Sequence, residues 1–181
     1  MSKEKVRKKL LIYREKNYNT KSVDFSLLRY ILKKNNLLNN KKIGAYYPIN
    51  SEIDCFETLR KIHKMGNIIS LPIIRERNQM DFFEWCFSEP LSVGKFGVPE
   101  PNKFRKINPD ILLVPLVSFD KHKYRIGYGG GYYDRYIKKI SKIKKIITIG
   151  LAFSFQEVKK ISINKYDKKL DYILTEKNFI E

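Results

Sequence analysis

Cysteine and histidine are almost absent from this chain of 181 residues: Cys55 and Cys86 are the only thiols, His63 and His122 the only imidazoles. So few, so separate in sequence, they exclude a disulfide framework and a zinc cluster, and the chain is long enough to bury a core without either. A reducing cytoplasm is the expected compartment. No apolar run approaches the roughly 20 residues that span a bilayer. The opening Met-Ser-Lys-Glu-Lys-Val-Arg-Lys-Lys carries charge but no apolar export segment. A membrane partner is therefore not expected. Internal repeats and low-complexity tails are missing too, and two linked domains would be cramped, so residues 1–181 are expected to form a single domain. No Ser/His/Asp or Cys/His constellation suggests a catalytic nucleophile.

Acidic residues are scarce, 19 against 37 Lys and Arg, giving a formal net charge of +18. Such an excess favours anionic partners. The lysines are nevertheless scattered beside many Asn and Ile residues, as AT-rich coding alone produces. The densest patches, Lys138-Lys139 to Lys144-Lys145 and Lys159-Lys160, lack the interleaved aromatics of a single-strand-binding platform. Nucleic acid is not the expected ligand.

What is present is an alternation of helical and strand-like segments. Val6, Leu10 and Tyr13 predict a helix from Lys3 to about Lys16, and a second is predicted from about Ser22 to Lys34. Ile43 to Tyr47 reads as a strand stopped by Pro48, and Glu52 to Met65 returns to helical spacing. Ile68 to Ile74 and Asp81 to Phe87 read as strands joined by a polar turn at Arg75 to Gln79. Residues 88–109, rich in Pro and Gly, are expected to be an irregular connection. Ile111 to Val117 and Ile146 to Phe153 are predicted as buried strands, Tyr132 to about Ile140 as a helix, and Leu170 to Thr175 as a last strand. The expected fold is α/β: a mostly parallel central sheet flanked by helices, in three layers. Ligands in such sheets gather at the carboxyl ends of strands, where residues 118–131 follow the strand at 111–117.

That segment contains Arg125-Ile-Gly-Tyr-Gly-Gly-Gly-Tyr-Tyr-Asp-Arg-Tyr136. Glycines at 127, 129, 130 and 131 directly before a helix let main-chain amides approach an anion, and the helix start adds unpaired N–H groups. No Gly-Lys-Ser/Thr follows, and the spacing is not that of a dinucleotide fingerprint. Arg125 supplies a phosphate-pairing guanidinium; Asp134, in the first helical turn and projecting toward ligand, is a candidate divalent-cation carboxylate. From residues alone, an RNA-binding basic module and another Mg-ATP phosphotransferase stay open.

Val114-Pro-Leu-Val-Ser-Phe-Asp120 followed by that glycine loop resembles the 5-formyltetrahydrofolate cyclo-ligase family. So do Lys3-Glu-Lys-Val-Arg7, Tyr47-Pro-Ile-Asn-Ser-Glu-Ile-Asp54, Gly97-Val-Pro-Glu-Pro101, Gly150-Leu-Ala-Phe-Ser-Phe-Gln156 and Tyr166-Asp-Lys-Lys-Leu-Asp171, in order along essentially the whole chain. Lys123 stands where that family usually has Gly, and Tyr166 where it has His. The resemblance implies ATP-dependent closure of 5-formyltetrahydrofolate to 5,10-methenyltetrahydrofolate, with ATP as co-substrate and Mg2+ as cofactor. It also implies site residues. Lys3, Arg7, Arg125, Gly127, Tyr128, Gly129, Gly130, Gly131, Tyr132 and Tyr133 would bind ATP; Arg125, Tyr132 and Asp134 would act in catalysis. Asp134 and Asp167 would hold Mg2+. Tyr47 and Glu52, with Tyr128, Gly129, Gly130, Gly131 and Tyr132, would contact the folate, including polyglutamylated forms. Phe83 and Trp85 are candidates to line an aromatic pocket. The enzyme is expected to act as a monomer.

Overall fold

The structure, a computed structural model, describes residues 2–18, 22–76, 79–102 and 105–181. In chain order it runs through α1 (Lys3–Lys16), α2 (Phe25–Lys34), β1 (Lys42–Gly44), α3 (Phe56–Lys64), β2 (Ile68–Ile74), β3 (Met80–Glu84), β4 (Leu91–Val93) and β5 (Pro99–Pro101). It continues through β6 (Lys106–Ile107), β7 (Ile111–Pro115), β8 (Ser118–Phe119), β9 (Arg125–Ile126), α4 (Tyr132–Ile140), β10 (Ile147–Leu151), β11 (Tyr172–Leu174) and β12 (Phe179–Ile180).

Among the described residues, eight strands form one sheet in the order β12-β11-β10-β7-β1-β2-β3-β6. The pairs β11–β10, β10–β7, β7–β1 and β1–β2 are parallel, while the marginal pairs β2–β3, β3–β6 and β11–β12 are antiparallel. Strands buried on both faces need apolar side chains on both. In β7, Ile111 and Leu113 enter one core cluster with Leu28, Ile31, Leu59 and Ile62 of α2 and α3; Leu112 and Val114 enter the other with Tyr136, Ile137 and Ile140 of α4. Helices therefore cover both faces, as the alternating pattern predicts. No helix among the described residues is long and apolar enough to cross a membrane.

Several boundaries differ from expectation for local reasons. Helix α2 begins at Phe25, because Asp24 caps it by accepting from the Ser26 amide at 2.7 Å, and Ser22 is spent on a bridge to Asp54. Strand β1 ends at Gly44, well before Tyr47. Helix α3 begins at Phe56 and not at Glu52, since Asp54 is held in an extended bridge to Ser22 and its carboxylate accepts from the Phe56 amide at 2.8 Å, while Asn50 and Ser51 before it are left-handed (φ 48° and 59°). Residues 88–109 are not wholly irregular: β4 and β5 form a hairpin, and β6 joins the edge of the main sheet. The polar turn at 75–79 includes Arg77 and Asn78, which lie outside the described residues. At its base the Arg75 amide donates to the Gln79 carbonyl at 2.8 Å.

The strand order reverses between β1 and β7, the neighbours at the middle of the parallel run. A crevice opens at such a reversal, beyond the carboxyl ends of the two strands. Residues 45–55 follow β1 and residues 116–131 follow β7, so the Glu52 loop and the glycine loop flank it. Gln156 fixes its floor, donating to the Leu116 and Val117 carbonyls at 3.0 and 2.9 Å while accepting from the Phe153 amide at 2.7 Å.

Candidate functional site

The glycine loop leaves a short hairpin of β8 and β9, closed by Asp120, whose carboxylate accepts from the amides of His122, Tyr124 and Ile161 at 3.0, 3.1 and 3.0 Å. Gly129 and Gly131 have φ of 104° and 66°, conformations that side chains resist. Gly131 opens α4 without any side-chain cap, which leaves the first amides of that helix directed into the loop.

Cations converge on this backbone. Arg7, on α1, donates from Nε to the Gly127 carbonyl at 2.7 Å, and its guanidinium lies about 3.5 Å from the point where a Gly129 Cβ would sit. Arg125 is buried, donating to the Lys168 carbonyl and to Asp134, both at 2.9 Å. Burial pushes its pKa below the usual arginine value, and the charge of Asp134 opposes that shift. Asp134, expected to project toward ligand, is instead partly claimed by the protein: its Oδ1 accepts from Arg125 and from the Lys168 amide at 3.0 Å. Lys3 pairs with Asp167, which also takes the Asn164 amide at 2.6 Å, and Asp167 adds to the field at Arg125. Lys3, Arg7, Arg125, Asp134 and Asp167 thus gather about one loop although they come from three separate stretches of sequence.

Across the crevice, Glu52 is 4% exposed, its Oε2 accepting from the Ile49 amide at 3.0 Å. Burial pushes its carboxyl up to about 7, against the lowering pull of that amide, of Arg14 and of the Tyr128 hydroxyl. Tyr128 leaves the glycine loop to meet it. The residue is 39% exposed, yet its hydroxyl accepts from Arg14 and feels the charge of Glu52. Arg14, the one buried residue of α1, reaches the Asn50 carbonyl from Nε and Nη2 at 3.1 and 2.8 Å and the Leu116 carbonyl from Nη1 at 3.1 Å. Helical spacing sets Arg14 near the face of Lys3 and Arg7, but nothing in a single sequence marks it as buried.

Other expected site residues fall differently. Tyr132 and Tyr133 pack against the core cluster on the α4 side; burial raises the Tyr133 hydroxyl well above its ordinary value. Tyr47 stacks edge-on against Phe56 at 5.2 Å, in a group continued by Trp85 and Phe87. Trp85 and Phe83 are buried, and the Trp85 indole donates to the Glu89 carbonyl at 3.0 Å, so they form core and not an open pocket. One aromatic escaped the sequence reading: Phe96, 69% exposed and left-handed at φ 63°, stands at the tip of the β4–β5 hairpin with its ring 6.5 Å from that of Tyr132. Bulky residues tolerate that backbone poorly, and it is the adjacency to the loop, invisible in one dimension, that gives the position interest. Two open surface hollows, of about 900 and 660 Å3, lie elsewhere; the larger is lined by Lys121, His122, Glu157, Val158, Lys159 and Lys160.

A family model described as the 5-formyltetrahydrofolate cyclo-ligase family matches residues 1–176. The 5-formyltetrahydrofolate cyclo-ligase of Haemophilus influenzae is 30% identical over 141 residues, 74% of this chain and 75% of that one. The enzyme of the same name from Mycoplasma genitalium is 28% identical and covers 96% of this chain and 98% of its own. Among solved structures, the 5,10-methenyltetrahydrofolate synthetase of Aquifex aeolicus superposes with a TM-score of 0.80 at 30% identity, over 99% of this chain and 92% of that one. The synthetase of Mycoplasma pneumoniae gives 0.70 at 25% identity, over 97% and 99%.

Proposed function

The chain belongs to the 5-formyltetrahydrofolate cyclo-ligase family, and on that premise we propose that it uses Mg-ATP to convert 5-formyltetrahydrofolate to 5,10-methenyltetrahydrofolate, ADP and phosphate. The convergence of Lys3, Arg7, Arg125, Asp134 and Asp167 on a glycine loop supports this reading. The chemical obstacle is an amide. Its formyl oxygen departs poorly as hydroxide and well as phosphate, so that oxygen attacks the γ-phosphorus and ADP leaves. The anilino nitrogen then adds to the formyl carbon and loses its proton, and phosphate departs with the former formyl oxygen. No protein nucleophile is needed, in keeping with a site made of cations, amides and carboxylates.

In this scheme the loop amides, Lys3 and Arg7 hold the ATP phosphates, and Arg125 steadies the charge that develops on the transferred group. Mg2+ suits the donor type, because Asp134 and Asp167 are hard carboxylates that both act on Arg125. Phosphate oxygens and waters would complete its shell. Bound there, it would neutralise charge on the phosphates. Glu52 accepts from the donor-rich edge of the pterin, and Tyr128 borders both ligands. The enzyme works as a cytoplasmic monomer.

The assay is direct. Given Mg-ATP and 5-formyltetrahydrofolate, the protein forms the methenyl chromophore and one ADP for each product. ADP without methenyl product would instead indicate a different acceptor, and salt-sensitive RNA retention with no ADP would indicate a nucleic-acid module.

A further inference from the structure

The two loops that flank the crevice are joined by side chains. Arg14 is 1% exposed, and its fork binds the Asn50 carbonyl on the Glu52 loop, the Leu116 carbonyl at the end of β7, and the Tyr128 hydroxyl on the glycine loop. The Tyr128 hydroxyl and the Glu52 carboxyl act on each other electrostatically, and Glu52 accepts from the Ile49 amide. The result is a direct tie: hydrogen bonds run from the turn at 49–52 through Arg14 to Tyr128, with Glu52 anchored in the same turn. The Glu52 loop holds costly backbone, since Asn50 and Ser51 are left-handed non-glycines. In the other loop glycine lets position 129, next to Tyr128, take φ 104° without that cost. A ligand that holds either loop in its bound shape therefore holds part of the other.

We propose that Arg14 is a positioning residue that couples the two halves of the site through Tyr128, so that nucleotide on the glycine loop tightens binding of the folate at Glu52, and the folate tightens the nucleotide by the same factor. The coupling rests on the two-substrate reading given above. Reciprocity is a thermodynamic requirement once one ligand alters the affinity of the other. An arginine that merely propped up the fold would weaken both ligands, or the fold itself, without changing how one responds to the other.

Calorimetric titration separates these cases. The dissociation constant of 5-formyltetrahydrofolate is measured with and without a saturating, non-hydrolysable ATP analogue and Mg2+, and the ratio of the two constants is the readout, because uniform losses of contact cancel in it. For the wild type the ratio is expected to be about fivefold or more. Tyr128→Phe keeps the ring but removes the hydroxyl between Arg14 and Glu52, and brings the ratio close to one. Arg14→Lys keeps the charge but loses the fork, and does the same; it also decides the matter if Tyr128→Phe binds either ligand too weakly to titrate. A wild-type ratio of one, or a ratio unchanged in the variants, overturns the coupling. Wild-type protein that forms methenyl product yet shows no such ratio overturns only this inference. Protein that makes no product overturns the functional reading beneath it.

Discussion

Glu52 carries its proton to unusually high pH for a carboxyl, about 7, chiefly because burial penalises the charged form. The unfolded chain releases that proton near the ordinary value of 4.5. Stability owed to the neutral form is thus fully present below about 4.5 and is lost as pH rises through about 7. Wild-type melting temperature should fall relative to Glu52→Gln between pH 5 and 8; parallel profiles would mean that the carboxyl does not titrate in this window. Asp134 answers to two demands, since it balances the buried Arg125 as well as facing the loop. Asp134→Asn keeps an acceptor for the Lys168 amide but not the charge, so turnover should fall roughly 100-fold or more with a measurable loss of melting temperature, and wild-type kcat would refute its role. Sequence order showed Lys3, Arg7, Arg125, Asp134 and Asp167 as chemically apt residues on separate segments. Their meeting, and the burial of Arg14, depend on how α1 lies across the sheet, which local spacing does not encode.

Elements were legible where periodicity runs uninterrupted and obscure where a turn depends on backbone sign. Helices α1 and α4 and the buried strands β7 and β10 follow from apolar spacing, whereas the turn at Asn50-Ser51 was hidden because neither residue is glycine. The same device recurs at Lys123, with φ 68°, whose carbonyl accepts from the Leu170 amide at 3.1 Å. Lys123→Gly should relieve left-handed strain of about 1–2 kcal/mol, less the unfolded-state entropy that glycine adds, and so raise the urea midpoint; a lowered midpoint would show that the lysine side chain contributes more than its backbone costs. At α2, Asp24→Ala removes the cap and should cost about 1 kcal/mol, read as a midpoint shift without change in turnover. The motifs 114–120, 150–156 and 166–171 acquire physical meaning at this scale. Asp120, Gln156 and Asp171 are hydrogen-bonded struts that hold strand ends in place, with the Asp171 carboxylate accepting from the Thr148 amide at 2.8 Å.

For the whole molecule, the reversal of strand order between β1 and β7 sets the site's address, and the net charge of +18 sets the field around it. Lysines that pair with carboxylates, such as Lys139 and Lys106 with Asp81 and Lys144 with Asp110, are already offset in that figure, so +18 is what remains once every acid is counted. If the remainder serves the substrate, a polyglutamylated folate should bind more tightly than the monoglutamate at low salt, with the advantage shrinking as salt rises; equal affinities would assign the excess to composition alone. The central claim is narrower than the charge and lies in the loop between Arg125 and Asp134, which is taken to hold a phosphoryl group against the folate's formyl oxygen. Substrate labelled with heavy oxygen in the formyl group tests it most directly: the label should appear in the released inorganic phosphate, one atom for each methenyl product, whereas label released into water, with unlabelled phosphate, would contradict the account.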